Sequence, residues 1–269
     1  MRDRQRPEPD AARRDVLHVR VPTKPPLLLA LMALLGAVPA ASAQLVISEY
    51  RLRGPGQNAA TNEYVEILNP ATTAHTVSGG GNGYAIVASD GVARCTIPNG
   101  TVIPPYGHWL CVNSVGYGLA SYPAGNGTSA AGDATFSIDI PDGSGIALFN
   151  NNTGAYTPQN RIDAVGSTAV ANSLYREGAG HPSITAFSID YAFHRDACGK
   201  GGSITNMAPC TATSPLDTAD NAGDFVFVDT NGTNAGAGQR LGTPGPENLS
   251  GPRATGTALA DQRLDTCVQ

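Results

Sequence analysis

Nine short apolar or alternating runs, separated by turn-forming residues, recur along this chain, and none extends into a long helical period. They are Leu45–Tyr50, Glu63–Leu68, Gly83–Asp90, Gly91–Ile97, His108–Asn113, Gly145–Asn150, Arg161–Gly166, Phe187–Arg195 and Asp224–Thr230. Period-two alternation in segments this short points to strands, and many such strands between Gly, Pro and Asn signals point to an all-β sandwich or barrel. Asp90-Gly91 sits between two of the runs and predicts a hairpin turn. Composition agrees, with 32 Gly, 20 Pro and only 14% charged residues among 269; helices favour Ala, Leu, Glu and Lys in longer periodic stretches. Thr168–Gly180 is the one stretch expected to take a helical turn, and Tyr122–Thr135 reads as a long surface loop.

Residues 1–43 read as a secretory signal peptide. A basic segment carries seven Arg/Lys against four Asp/Glu, the apolar run "LLLALMALLGAVPA" follows, and Ala41-Ser42-Ala43 forms a small-x-small site before Gln44. The apolar run has 14 residues and contains Gly36 and Pro39, whereas a membrane span needs roughly 20 apolar residues. Arg13-Arg14 faintly resembles a twin-arginine export signal, although a start codon placed too early accounts equally for the long basic segment. No membrane span is expected in the mature chain, and its location is expected to be secreted, extracellular or in the cell envelope. From Gln44 onward 10 Lys/Arg stand against 18 Asp/Glu, a net charge of −8, which disfavours binding to a phosphate backbone, so no nucleic-acid partner is expected.

Cysteine use fits export. Cys95 and Cys111 flank what reads as a turn between two strands, and Cys198 and Cys210 flank a Gly-rich loop; each pair is a candidate local disulfide. Cys267 is left over, as a free or intermolecular thiol. A zinc site fails on spacing, since no Cys-x₂₋₄-Cys pair is present.

The stretch "ISEYRLRGPGQNAATNEYVEILNP" (Ile47–Pro70) places Glu49, Glu63 and Glu66 on two successive strand-like runs. Alternation puts Leu45, Ile47 and Glu49 on one face of the first, and Tyr64, Glu66 and Leu68 on one face of the second. Glu49 and Glu66 can then face each other across neighbouring strands, as a pair of hydrolytic carboxylates would. Against this, the mature chain has a single Trp, Trp109, to stack on sugar rings. The competing expectation is that the two carboxylates hydrogen-bond loop backbone or pair with Arg51 or Arg53. The acidic loops Asp217–Phe225, Val228–Gly236 and Asp139–Gly145 place oxygen ligands among glycines, but none has the spacing of a helix–loop–helix calcium loop, and Asp, Asn and Gly make such turns without metal. No cofactor is expected, calcium being the one considered. No Gly-x-Ser-x-Gly, His-Glu-x-x-His or phosphate-loop motif is present. The histidines stand singly, and His181 and His194 are expected at the surface or in loops. Asn-x-Ser/Thr sequons begin at Asn99, Asn126, Asn151, Asn231 and Asn248 and mostly record turns.

Three segments in order carry a family resemblance. "VISEY", a Gly-rich loop and "EYVEILNP" resemble the opening of the lamin tail domain; "TIPNGTVIPPYGHWLCV" (Thr96–Val112) is similar to its Pro- and Gly-punctuated middle segment; and "GTPGPENLS" looks like its closing Pro-Gly-x-x-Asn. The family's Leu-x-Gly-Trp is missing, with "TVSGGGNGYAIVASDG" in its place and Tyr84 at the aromatic position. The resemblance spans about Leu45 to Asn248 with a long loop-rich insertion between Val112 and Asp224. It implies an immunoglobulin-like β-sandwich over residues 44–250, followed by a linker or tail over 251–269. It implies structural rather than catalytic roles for Glu49, Glu66, Asn69, Gly107, Pro244, Gly245 and Asn248. The function it implies is a non-catalytic module that binds a protein or glycan or serves a structural role. The alternative is an extracellular hydrolase, or an accessory domain of one, using Glu49 and Glu66 or the Asp loops. A third expectation is that the chain forms the front of a longer multidomain architecture.

Overall fold

All nine runs expected as strands contain strands in the computed structural model, which describes residues 44–56, 58–120, 123–124, 128–183, 189–195, 217–229, 239–241 and 245–251. Residues 1–43, read above as a signal peptide, Cys198, Cys210, Pro244, Cys267 and residues from 252 on lie outside the described residues, as do Asn126 and Asn231. In chain order the strands are β1 (Val46–Arg51), β2 (Tyr64–Leu68), β3 (His75–Thr76), β4 (Gly83–Ala88), β5 (Ala93–Pro98), β6 (Val102–Ile103), β7 (His108–Asn113) and β8 (Pro123–Ala124). There follow β9 (Thr128–Ser129), β10 (Ala134–Phe136), β11 (Ile146–Phe149), β12 (Arg161–Val165), β13 (Tyr191–Arg195), β14 (Phe225–Asp229) and β15 (Gln239–Leu241). A seven-stranded sheet runs β10-β7-β2-β1-β13-β14-β15 and a four-stranded sheet runs β12-β11-β4-β5. Their facing sides make one core, in which Ile47, Val65, Trp109 and Phe193 from the larger sheet meet Ile86, Ile97, Leu148 and Val165 from the smaller. The fold is therefore an all-β sandwich.

The stretch between Val112 and Asp224 supplies integral strands: β11 and β12 are half of the smaller sheet, and β13 lies between β1 and β14. Part of the loop expected over Tyr122–Thr135 is strand, because β10 pairs in parallel with β7. The helical turn expected within Thr168–Gly180 is a 3-10 turn, Ser173–Tyr175, capped by the Asn172 side chain. A second, α1 (Asn221–Asp224), is a single turn capped by Asp220 inside an acidic loop, too short to leave a periodic signal.

Both sheets also bury much of their outer faces, which is why their strands lack a clean polar side. Ala85, Val87, Ala147 and Phe149 on the smaller sheet are covered by Val170 and Tyr175. Tyr64, Leu110 and Val112 on the larger one pack with Leu119 and Ala130.

Simple alternation fails at one point in β1. The register passes from Ile47↔Ile67 to Glu49↔Glu66, so Ser48 is an extra, bulged residue. Ile47 and Tyr50 both face the core, and Glu49 turns to the outer face beside Tyr64 and Glu66. Without the bulge, the face of Ile47 would carry a carboxylate into an apolar interior, where an unpaired charge is costly.

Cys95 and Cys111 form a disulfide with Cα atoms 6.1 Å apart. It is not a clasp on a hairpin. Cys95 lies on β5 and Cys111 on β7, so the bond crosses the core from the smaller sheet to the larger.

Glu63, just before β2, is buried and accepts from Asn113 Nδ2 (2.6 Å) and the Ile140 amide (2.7 Å). Burial outweighs these donors and pushes its pKa up to about 7. A carboxyl group raised in the fold favours folding below its unfolded pKa of roughly 4.3, and that contribution is lost as the pH rises through about 7. Unfolding free energy followed by urea titration should therefore fall between pH 5 and pH 7.5. Glu63→Gln removes up to about 1 kcal/mol per pH unit from that slope, after discounting for solvent screening. An unchanged slope in the variant would assign the dependence to other groups.

Candidate functional site

Three places bring chemistry-bearing side chains together. The first is the glutamate pair. Glu49 and Glu66 are directly opposite on β1 and β2, on the outer face of the larger sheet, and both are fully buried. Glu49 accepts from the Tyr64 hydroxyl, from the Gly245 amide (3.2 Å) and lies 3.4 Å from His194 Nε2. Glu66 accepts from Ser48 Oγ (2.5 Å) and from the Glu247 amide (2.6 Å), with His108 Nε2 at 3.9 Å. His108 Nδ1 in turn meets the Glu247 carboxylate at 2.7 Å. Gly245–Leu249 is laid over the pair and anchored at its far end, where Asn248 Nδ2 donates to the Ala131 carbonyl (2.7 Å) and the Leu249 amide to Asp133 (3.0 Å).

The loop-backbone contacts expected of these glutamates are therefore present, and the arginine pairings are not. Arg51 binds Asn62 and Asp190, and Arg53 binds Asp142 and the Gly56 carbonyl. Of the two histidines expected at the surface or in loops, His181 lies in a loop and His194 within β13, and both are buried rather than at the surface. His194 is in register with Glu49 on β13, and His181 stacks on Phe193 with ring centroids 4.3 Å apart. Each histidine is covered by segments far away in the chain, which no local pattern reveals.

Other residues implicated by the family resemblance also hold backbone. Asn69 Nδ2 donates to the carbonyls of Thr73 (2.8 Å), Ile103 (3.0 Å) and Pro104 (3.1 Å), while its Oδ1 accepts from the Ala71 amide (3.1 Å). Gly107 passes so close to Pro104 that a Cβ would lie 2.6 Å from that ring.

The second place is an acidic cluster where β12 of the smaller sheet meets β13 of the larger. Oxygens of Asp163, Glu177 and Asp217 lie within 4.8 Å of one another, a spacing that suits a cation. Arg195 supplies one. Its guanidinium donates to both Asp163 oxygens (2.9 and 2.7 Å), reaches Asp217 (3.3 Å) and Asp224 (3.5 Å), and its Nε donates to the Ile47 carbonyl (2.9 Å). Asp163 also accepts from the Ile47 amide at 2.6 Å. Burial first, then the Asp163 carboxylate, pushes the Glu177 pKa up to about 8. In the loop Asp217–Phe225, which was weighed for calcium, Asp220 caps α1 and Asp224 accepts from the Thr218 amide and hydroxyl. Those oxygens serve as turn and capping acceptors.

The third place is a cavity of about 330 Å³ at one end of the sandwich. Tyr50, Tyr191, Phe193 and His181 form its aromatic side. Tyr50 and Phe193 stack at 5.2 Å. His181 Nδ1 donates to the Pro182 carbonyl (2.9 Å), an atom that only accepts, and its Nε2 is hydrogen-bonded to the Tyr50 hydroxyl. Ser144, Ser167 and Ser183 contribute hydroxyls, and the Arg53–Asp142 ion pair (2.7 Å) stands at the opening. Of the residues singled out in the sequence, Asp142, Gly143 and Ser144 of an acidic loop, Arg53 and His181 line this cavity. Its parts come from five separate stretches of the chain, two of which are joined by the pairing of β1 with β13.

No helix among the described residues is long and apolar enough to cross a membrane. No protein-family model and no curated protein matches the chain. Among solved structures it is similar to a DUF4876 family protein from Bacteroides thetaiotaomicron VPI-5482, with a TM-score of 0.41 and 13% identity over 68% of this chain and 70% of that one, a likeness too distant to carry an argument.

Proposed function

We propose that this chain is an exported, lamin-tail-like β-sandwich that acts outside the cell or at its surface as a protein- or glycan-binding or structural module, and not as an enzyme. The observation that carries this reading is the sealing of Glu49 and Glu66 beneath Gly245–Glu247, with each carboxylate accepting a backbone N–H from that segment. Acid–base hydrolysis needs two carboxylates that reach a substrate. Among the described residues, the open cavity offers Asp142 as its one carboxylate, and Arg53 already neutralises it. The disulfide between the sheets favours an oxidising compartment, in keeping with the signal-like first 43 residues. The motif residues Asn69 and Asn248 hold backbone carbonyls, the Gly245 amide donates to Glu49, and Gly107 packs on Pro104, as structural residues of a lamin-tail-like sandwich would.

Glu66→Ala tests the reading. It leaves the Glu247 amide and Ser48 hydroxyl without their acceptor, a loss of about 2 kcal/mol, which is about 4–8 °C in Tm for a domain of this size. A panel of chromogenic glycosides and esters should show no turnover by either protein. Hydrolysis that vanished in Glu66→Gln at unchanged Tm would overturn the proposal and favour the hydrolase.

A further inference from the structure

We infer that the end cavity binds one neutral sugar ring, at the terminus or a branch of a glycan. This rests on the reading of the chain as a binding module and names the ligand class. A pyranose presents an apolar C–H face and a rim of hydroxyls that both donate and accept. The cavity presents the complement of each. Tyr50, Tyr191, Phe193 and His181 make a rigid aromatic side, held by the Tyr50–Phe193 and His181–Phe193 stacks. Around it stand the Ser144, Ser167 and Ser183 hydroxyls. At the opening, the Arg53 fork and the Asp142 carboxylate lie side by side, so neighbouring sugar hydroxyls meet a donor and an acceptor together.

Charge selects against anionic ligands. Arg53 is spent on Asp142 and on the Gly56 carbonyl. The His181 ring is committed at both nitrogens to Pro182 and Tyr50. Among the described residues, no uncompensated positive charge lines the cavity for a phosphate, sulfate or uronate. Size selects a single ring. At about 330 Å³ the cavity is near the lower end of the ~300–1,000 Å³ range for small-molecule sites. A polysaccharide lying lengthwise needs an open groove instead.

Saturation-transfer NMR on the mature chain, with a panel of neutral mono- and disaccharides, tests the inference. Binding is expected with a Kd of about 1 mM, as few hydrogen bonds and one ring face allow. Ala169 is exposed at the cavity wall, so Ala169→Trp fills the space without entering the core. It should weaken binding by at least about tenfold at unchanged Tm, and Asp142→Asn should weaken it as well. Saturation transfer to free amino acids or uronic acids but not to neutral sugars would overturn the assignment, as would sugar binding indifferent to Ala169→Trp. A glycan array separates the two levels. Array binding that survives Ala169→Trp removes the cavity assignment and leaves the glycan-binding module standing. Absence of any sugar or glycan binding removes both, leaving only the protein-binding or structural role.

Discussion

Arg195→Met should destabilise the domain by about 3–5 kcal/mol, enough to leave many such domains largely unfolded at 37 °C. Arg195 is fully buried, and its guanidinium is the counter-charge to Asp163 on the opposite sheet. Removing it strands Asp163 and Asp224, both buried, and takes the donor from the Ile47 carbonyl. The shape loss is small, because Met retains much of the contact with Phe225, over whose ring the guanidinium sits at 4.8 Å. Urea titration at pH 7 reads the difference directly. A double variant, Arg195→Met with Asp163→Asn, should recover part of the loss, since Asp224 is then the one buried carboxylate of the pair still facing Met, while the Ile47 amide keeps an acceptor. A single variant within 1 kcal/mol of the parent, or a double variant that is simply additive, would mean that water or another group already neutralises Asp163.

The disulfide should give the second large effect. Opening a loop closed across a separation of 16 residues costs about 3 kcal/mol through the entropy of the unfolded chain. For a domain of this size that is about 6–12 °C in Tm. Cys95→Ala with Cys111→Ala should show this drop, and reductant should lower the Tm of the parent by more than that of the variant, which keeps only the candidate Cys198–Cys210 pair. Because both half-cystines are buried, reduction will need partial unfolding and should be slow at low temperature. A parent protein shown by thiol titration to be reduced, yet with an unshifted Tm, would sink the claim that this bond ties the sheets together.

The strands were legible because each carries its own period, and the Asp90-Gly91 turn because its chemistry is local: Asp90 accepts from the Val92 amide and Gly91 takes a φ of 80°. The bulge at Ser48 was not, since serine is ordinary in a strand and only the register with β2 reveals the extra residue. Cysteine spacing suggested a bond between Cys95 and Cys111, but spacing does not say whether two strands belong to one sheet or to two. His194 follows Phe193 in an alternating run and so reads as polar and outward. It does face outward, into a layer closed by Gly245–Leu249, some fifty residues on. The candidate glutamates were identified from sequence; their enclosure was not. The cavity was missed for the same reason, as Tyr50 and His181 are 131 residues apart.

The strap from Gly245 to Leu249 also sets the order in which this chain assembles. Its bonds to Glu49 and Glu66 span 196 and 181 residues, among the most distant contacts in the domain. A chain emerging from its N-terminus makes the β1–β2 pair early, but two adjacent carboxylates stay uncovered until residue 247 arrives. Contacts of such long range form slowly, after the loops between them have closed. Under the proposed export, a chain threaded unfolded through a membrane would gain from this delay. Its outer face would be completed only when nearly all of the domain was on the far side, and the same late step would leave the half-made sheet open to aggregation if translocation stalled.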